Sequence, residues 1–163
     1  MNYHNVSVQI IDLLRKNDLW FETFEHEPVR TSEDAAKIRH GYSLHQGAKT
    51  LIMQIKISNV GRKFVMLVVP GDLQFDNVKV KELFGAKEIR FATETEVATL
   101  TNGVLPGGIP PFGNLFGLEV IVDPRLFENE KIIFNAGDRR ISIGMKSADY
   151  RKLVEPQVVS VTK

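Results

Sequence analysis

A loop rich in glycine and proline is the segment whose residue types suit chemistry best. Residues 107–113 read Gly-Gly-Ile-Pro-Pro-Phe-Gly. Two successive glycines let a ligand approach the backbone because no Cβ stands in the way. Two prolines then fix φ and stiffen the chain that follows. The loop therefore suits a site whose accessible N–H groups hold a carbonyl oxygen, and a tight turn between strands is the alternative.

Three upstream residues could also serve a site. Lys49 stands just before an apolar run, where a strand enters the core. Its ammonium lies either at the mouth of a cavity or in solvent beyond a strand end. His26 is either a general base or a structural hydrogen-bonding group. Thr31 begins a helix and can cap it through the backbone of Asp34.

Composition excludes several classes of site. The 163 residues fit one domain, residues 1–163, and include no cysteine and four histidines. The histidines have no metal-binding spacing, so we expect neither a metal nor a cofactor. No apolar run reaches a membrane span and the N-terminus is unlike a signal peptide, which predicts a cytoplasmic protein. A net charge of +1 argues against bulk attraction to nucleic acid but allows a local basic patch.

Short helices and paired strands must position these residues. Helical spacing or capping signals predict helices over residues 5–17, from Thr31, over 77–84, from Thr93 and over 147–153. Strand patterns cover residues 20–25, 51–57, 63–69, 88–91, 117–122, 131–134, 140–144 and 158–161. The continuous apolar run 65–69 indicates a strand buried on both faces. This alternation predicts a mixed α/β fold with much antiparallel pairing.

Four segments together resemble one known family. In chain order they begin with His-Glu-Pro-Val-Arg-Thr at residue 26, Gln-Gly-Ala-Lys-Thr-Leu at 46, Gly-Gly-Ile-Pro-Pro at 107 and Phe-Asn-Ala-Gly-Asp-Arg-Arg at 134. They resemble the YbaK/prolyl-tRNA synthetase-associated editing family, from about residue 19 to residue 153. The resemblance implies a curved, barrel-like, largely antiparallel mixed sheet of about seven strands surrounded by short helices.

The resemblance also implies roles for individual residues. Lys49 would bind the substrate end, and the N–H groups of Gly107 and Gly108 would form an oxyanion hole. The substrate-binding residues expected around them are His26, Thr31, Ile109, Pro111, Phe112, Asn135, Gly137 and Ser142. For Ser142, an ordinary strand serine is an equal alternative. Apart from the resemblance, we expect contacts with RNA phosphate from cations in turns or helix ends near the mouth of the site, with solvated surface charges as the alternative. They are Arg39, Arg62, Lys63, Arg139 and Arg140.

Pro110 and the pair Asn102-Gly103 differ from the family pattern, and Asp138 has no expected role in the site. Pro110 stands where many members carry serine, so no serine hydroxyl can assist a water there. Asn102-Gly103 replaces a usual Thr-Gly pair, and a left-handed turn is an equally good interpretation. Asp138 is expected to be a solvated turn carboxylate.

The activity that the resemblance implies is trans-editing. A free-standing member would hydrolyse the ester of a misacylated tRNA carrying a small amino acid, on tRNA-Pro or a similar tRNA. Its partners would be the aminoacyl-tRNA acceptor end and an aminoacyl-tRNA synthetase. Two alternatives stay open: a non-catalytic binding or regulatory module that retains the pocket, and a hydrolase of small aminoacyl esters.

Overall fold

The computed structural model describes residues 2–29 and 31–163. Within them lie the helices α1 (Asn5–Lys16), α2 (Ser32–Ile38), α3 (Asn77–Phe84), α4 (Glu94–Leu100) and α5 (Ser147–Val154). The strands are β1 (Phe21–Glu25), β2 (Ala48–Ile57), β3 (Gly61–Pro70), β4 (Ala86–Phe91), β5 (Glu119–Val122), β6 (Lys131–Asn135), β7 (Ile141–Lys146) and β8 (Gln157–Val158). None of the helices in this part of the chain combines the length and the apolar character that crossing a membrane requires.

The strands form two sheets. The larger has the order β4-β2-β3-β5-β8, in which β2 and β3 form an antiparallel hairpin while β5 lies parallel to both β3 and β8. The smaller is an antiparallel sheet of order β1-β7-β6. A single parallel bridge between Gly47 and Ile133 connects the start of β2 to β6. The mixed α/β class is confirmed, but the described strands form sheets of five and three rather than one sheet of about seven. Barrel-like closure stays a prediction.

The hairpin of β2 and β3 forms the centre of the molecule. Its register runs from Ala48 opposite Pro70 to Ile57 opposite Gly61. Residues 65–69 of β3 are all 0% exposed, which confirms the prediction of a strand buried on both faces. One core cluster lies between this sheet and the smaller sheet, and a second lies under α3. The N-terminal end of β2, where Lys49 lies, therefore enters a rigid framework.

Capping interactions set three helix boundaries close to where the sequence predicts them. The Thr31 hydroxyl accepts a hydrogen bond from the Asp34 N–H at 3.1 Å and fixes the start of α2. Thr93 and Glu96 form a reciprocal capping box at the start of α4. Gly85 ends α3 with φ at +60°, a left-handed conformation that glycine adopts without strain.

Ser147, where the sequence predicts that the last helix begins, does not cap that helix. The residue before the first turn of α5 is Lys146, and its side chain makes no capping bond. The Ser147 hydroxyl instead donates to the carbonyl oxygen of Asn129 at 2.6 Å. The hydroxyl therefore ties α5 to the chain that precedes β6, a long-range contact that no local pattern indicates.

Candidate active site

A cavity of about 320 Å³ opens between α2, the start of β2 and the loop of residues 107–113. Segments that are distant in sequence meet there, since residues of α2, of the start of β2 and of the end of β6 line it together. Five residues with expected catalytic or substrate-binding roles line this cavity: Thr31, Lys49, Gly107, Ile109 and Asn135.

Lys49 is a half-buried cation on the cavity wall. Its Nζ donates to the carbonyl oxygen of Leu73 at 2.8 Å, which leaves two of its three N–H donors for a ligand. Burial lowers the pKa of the Lys49 ammonium below its ordinary value, and the carboxylates of Glu33 and Asp72 partly oppose that effect. Glu33 also lines the cavity. The arrangement suits an ammonium that binds an oxygen-rich substrate end.

Gly107 is the loop glycine that lines the cavity. Its φ of +85° lies in the left-handed region, where a side chain would strain the backbone. Its carbonyl oxygen accepts a hydrogen bond from the Asn135 Nδ2 at 2.6 Å, so its orientation is fixed. Among residues 2–29 and 31–163, no acceptor engages the Gly107 N–H. The first glycine of the pair therefore has the properties expected of an oxyanion donor.

Gly108 does not have those properties, and the expectation for it is corrected. Its N–H donates to the carbonyl oxygen of Leu105 at 2.9 Å, so the donor is used within the turn. Its own carbonyl oxygen accepts from the Gly137 N–H at 2.8 Å. A Cβ on Gly137 would lie 2.8 Å from Cγ1 of Val6. The hydrogen bond between Gly108 and Gly137 therefore stabilises the loop, and neither glycine lines the cavity.

Arg39 belongs to the cavity rather than to an RNA-binding surface. Only 7% of the residue is exposed. Its Nε donates to the Ser142 hydroxyl at 2.9 Å and its Nη2 donates to the Asn135 Oδ1 at 3.0 Å. Burial lowers the pKa of the guanidinium to about 10. The guanidinium is thus held within the wall, where it orients Asn135 and cannot serve as a free surface cation.

His26 and Ser142 lie behind the cavity. Ser142 is fully buried, and the His26 Nε2 lies 2.7 Å from its hydroxyl oxygen. The His26 Nδ1 lies 2.8 Å from the Glu27 carbonyl oxygen, which can only accept, so Nδ1 carries the proton and the neutral ring accepts at Nε2. Burial lowers the pKa of His26, and the Arg39 charge adds to that effect. The structural alternative fits His26 better than a base in contact with substrate.

Pro111 and Phe112 anchor the loop in the core. Phe112 is fully buried and packs edge to face against Phe134 and Tyr150, with centroid distances of 5.4 Å and 5.5 Å. The Tyr150 hydroxyl donates to the Pro111 carbonyl oxygen at 2.6 Å. Neither residue lines the cavity, so the expected substrate contacts of Pro111 and Phe112 are corrected. Ile109 faces the cavity from the same loop.

Two of the expected RNA-binding cations lie far along the β2–β3 hairpin. Arg62 pairs with Lys56 near the hairpin turn, at the opposite end of β2 from Lys49. The neighbouring Lys63 forms an ion pair with Glu119 at 3.0 Å. Their expected position near the cavity mouth is therefore wrong.

The other two expected RNA-binding cations, Arg139 and Arg140, follow Asp138. Asp138 is not a solvated carboxylate, contrary to expectation. Its side chain is only 12% exposed and accepts from the Arg140 Nη2 at 2.7 Å. That bond lowers the pKa of Asp138 to about 2. Arg140 also donates to the Asn2 carbonyl oxygen, so its guanidinium holds the N-terminal segment. Arg139 lines a separate hollow beside Leu105.

Sequence reasoning missed three contributors to the cavity. Arg39 directly follows α2 and stands i+7 from Ser32 and i+4 from Ala35, a spacing that could have placed it beside the site. Thr50 lines the cavity, and its hydroxyl oxygen is buried without a hydrogen-bond partner among the described residues. Leu73 supplies the carbonyl oxygen that holds Lys49, and no sequence signal identifies it.

The chain is similar to known proteins along most of its length. Residues 26–153 match the model of the aminoacyl-tRNA editing domain family. The Multifunctional Ser/Thr-tRNA deacylase ProXp-y of Escherichia coli K12 is 35% identical over 153 residues, which are 93% of this chain and 90% of that protein. The Proline--tRNA ligase of Stenotrophomonas maltophilia K279a is 26% identical over 133 residues, 81% of this chain but 23% of the ligase.

A solved structure shares the fold. It is described as a candidate trans-editing enzyme for prolyl tRNA synthetase and matches with a TM-score of 0.80 and 23% identity over 99% of each chain. At that identity the likeness concerns the fold alone. The family assignment depends instead on the sequence match, which includes the segments around His26, Lys49, Gly107 and Asn135. The chain belongs to the aminoacyl-tRNA editing domain family.

Proposed function

We propose that this chain is a trans-editing deacylase that hydrolyses the ester bond of a misacylated tRNA. The observation that carries the proposal is the meeting of Lys49 and Gly107 on one cavity in a member of the editing family. One residue supplies a positive charge and the other a fixed backbone donor. These are the groups that an ester carbonyl requires as negative charge develops on its oxygen.

The reaction has a direct course in this cavity. A water adds to the ester carbonyl carbon, and the carbonyl oxygen becomes an oxyanion that the Gly107 N–H stabilises by about 3–4 kcal/mol. The intermediate then expels the ribose oxygen, which takes up the proton that the attacking water has lost, so the products are a free amino acid and a tRNA with a free terminal hydroxyl. The Lys49 ammonium binds the ribose or the phosphate, or polarises the ester carbonyl.

A water rather than a protein nucleophile fits the described lining. Its ionisable side chains are those of Lys49, Arg39 and Glu33. The Arg39 guanidinium is committed to Ser142 and Asn135. An aminoacyl ester is already activated, so positioning water beside an oxyanion donor supplies a useful rate. A neighbouring hydroxyl of the substrate ribose can assist the attack.

We infer that the aminoacyl group is small and that serine and threonine are the first candidates. Three hydroxyl-bearing residues, Thr31, Ser32 and Thr50, are among those that line the cavity. The relative with 35% identity is named as a Ser/Thr-tRNA deacylase. Hydrophobic synthetase pockets separate amino acids that differ by one methylene by only about 1–3 kcal/mol, so a second hydrolytic site has a clear purpose.

Recognition of the tRNA is proposed to be local. The net charge of +1 supplies little long-range attraction, so contacts with the acceptor end or with a synthetase partner must place the ester in the cavity. The similarity to part of a proline--tRNA ligase makes tRNA-Pro the first tRNA to test. Because charged tRNA is present where translation occurs, the cytoplasm stays the predicted compartment.

A deacylation panel tests the proposal. Purified protein is incubated with seryl, threonyl, alanyl, cysteinyl and prolyl esters of tRNA-Pro, and the remaining ester is counted over time. The expected result is faster loss of small noncognate esters than of the prolyl ester. Equal activity on an aminoacyl-adenosine ester would favour a hydrolase of small esters. Retained tRNA binding without turnover would favour a non-catalytic module.

A further inference from the structure

An aromatic shelf, formed by Phe75 and Phe91, borders the active-site cavity. The hollow above it measures about 370 Å³, and Lys49 and Leu51 line both this hollow and the cavity. The two rings meet edge to face with their centroids 5.3 Å apart. Phe91 is 53% exposed, so about half of its surface is open to a ligand in this hollow.

Sheet register explains why the shelf and the cavity adjoin. Lys49, Leu51 and Met53 project to the same face of β2 because side chains alternate along a strand. Phe91 on β4 is the direct partner of Met53, so it lies on that face too. Four residues of strand separate Lys49 from Met53, a distance of about 13 Å. A ligand held by Lys49 therefore meets the shelf when it continues along β2.

The lining chemistry selects a class of occupant. Lys163 and Gln74 border the rings, and the described lining includes two lysines and no acidic side chain. An exposed aromatic face beside cations suits a planar, uncharged base attached to a phosphodiester. A purely apolar ligand would gain nothing from the lysines. A single-stranded nucleic acid end uses both features, because bases stack on aromatic rings while lysines hold the backbone.

We propose that the shelf binds an unpaired nucleobase at the 3′ end of the tRNA, with Phe91 as the stacking platform. The inference rests on the proposed function, since it is the ester in the cavity that delivers the acceptor end to β2. Stacking on the shelf gives the protein a direct contact with RNA. This contact does not depend on Arg62 and Lys63 of the β2–β3 hairpin. Stacking tolerates any base, so the contact anchors the end without reading its sequence.

The test is a binding cycle, in which protein variants and RNA variants are combined, with RNA that carries no aminoacyl group. Wild type, Phe91→Ala and Phe91→Tyr are titrated with a short single strand of acceptor-end sequence, and with versions lacking either the terminal or the penultimate base. Phe91→Ala is expected to weaken binding of the complete strand by about 5- to 100-fold, and Phe91→Tyr by less than about twofold. With the base that occupies the shelf removed, wild type and Phe91→Ala should bind equally.

Controls separate this outcome from a general surface effect. Val60→Ala removes an apolar side chain that is 75% exposed at the far turn of the hairpin, and it should leave RNA affinity unchanged. Equal affinity of Phe91→Ala and wild type for the complete strand would overturn the proposal. So would the same weakening by Phe91→Ala for the complete strand and for both strands that lack a base.

A parallel deacylation assay keeps the two proposals distinguishable. Phe91→Ala should raise KM for misacylated tRNA by a similar factor while kcat is retained, because the ring touches a base and not the ester. If wild type hydrolyses no aminoacyl-tRNA but the binding cycle succeeds, the proposed function fails and the shelf stands. If wild type is active and the cycle shows no dependence on Phe91, only the shelf fails.

Discussion

Asn135 holds Gly107 through a hydrogen bond of 2.6 Å from its Nδ2 to the glycine carbonyl oxygen. The Oδ1 of the same amide accepts from the Arg39 Nη2 at 3.0 Å and lies 3.1 Å from the Ser142 hydroxyl. One side chain thus links a buried guanidinium to the loop that carries the proposed oxyanion donor. This connection fixes the peptide plane between Gly107 and Gly108, which adjoins the plane that carries the Gly107 N–H.

Asn135→Ala should therefore impair turnover more than folding. The Gly107 carbonyl and the Arg39 guanidinium each lose a partner, which costs about 1–3 kcal/mol of unfolding free energy. A donor displaced by about 1 Å lowers kcat by about 100-fold. Urea unfolding and single-turnover deacylation measure the two effects.

Asn129→Ala is the matched control, because its amide also donates to backbone carbonyls, those of His45 and Leu126, away from the cavity. It should reduce stability and keep kcat. Equal kcat for Asn135→Ala and wild type would show that the link is only structural.

The two loop glycines should respond differently to alanine. Gly107→Ala strains a backbone with φ at +85° by about 1–3 kcal/mol and should also lower kcat by at least about 100-fold. Gly108→Ala places a Cβ 3.3 Å from the Leu105 carbonyl oxygen, so it should affect stability more than turnover. Gly85→Ala introduces similar strain at φ +60° where no atom lies within 4 Å, and it should remain fully active. Loss of activity in Gly108→Ala with Gly107→Ala active would reverse the assignment.

Thr50→Val tests the choice of substrate. The Thr50 hydroxyl is buried beside the cavity without a partner among the described residues, so its removal should leave stability unchanged or raise it by about 1–2 kcal/mol. If that hydroxyl turns toward the side chain of a seryl or threonyl ester, the variant should lose about tenfold in kcat/KM for those esters relative to alanyl ester. Thr101→Val removes a hydroxyl bonded to the Val97 carbonyl and should only destabilise. An unchanged substrate ratio would remove Thr50 from recognition.

The His26 ring predicts how stability depends on pH. Burial lowers its pKa below 6.5 in the folded protein, so the unfolded chain binds the proton more tightly. Protonation of His26 thus opposes folding. The contribution of His26 to the free energy of unfolding is constant above about pH 6.5 and becomes unfavourable as the pH falls from there toward the lowered pKa. His26→Gln should flatten that part of the stability curve, measured by urea unfolding between about pH 5 and about pH 8. The exposed His40→Gln is the matched control, and an unaltered slope in His26→Gln would assign the effect to another group.

Local patterns predicted the elements better than their assembly. The β2–β3 hairpin, the capping box of Thr93 with Glu96 and the glycine that ends α3 follow from residues close in sequence. The division into two sheets does not, because it depends on which strands pair across long separations. The last strand pairs with β5 only over Gln157–Val158, shorter than the apolar run at 158–161 indicates.

The candidate site shows the same division. Family resemblance identified Lys49, Gly107 and Asn135, which the structure brings to one cavity. It could not tell which way a loop side chain points, so Phe112 was expected at the ligand although it packs into the core. Arg39 was expected to contact RNA phosphate or to be a solvated surface charge, and only tertiary packing provides its buried partners.

Single-turnover deacylation by Lys49→Ala tests the central claim most directly. Wild type, Lys49→Ala and the surface control Lys63→Ala are mixed in excess with seryl-tRNA-Pro, and their folding is checked by thermal unfolding. The account predicts that Lys63→Ala matches wild type while Lys49→Ala keeps its fold and hydrolyses the ester no faster than buffer does. A folded Lys49→Ala with the wild-type rate would contradict the account, since the cavity would then not be the site of hydrolysis.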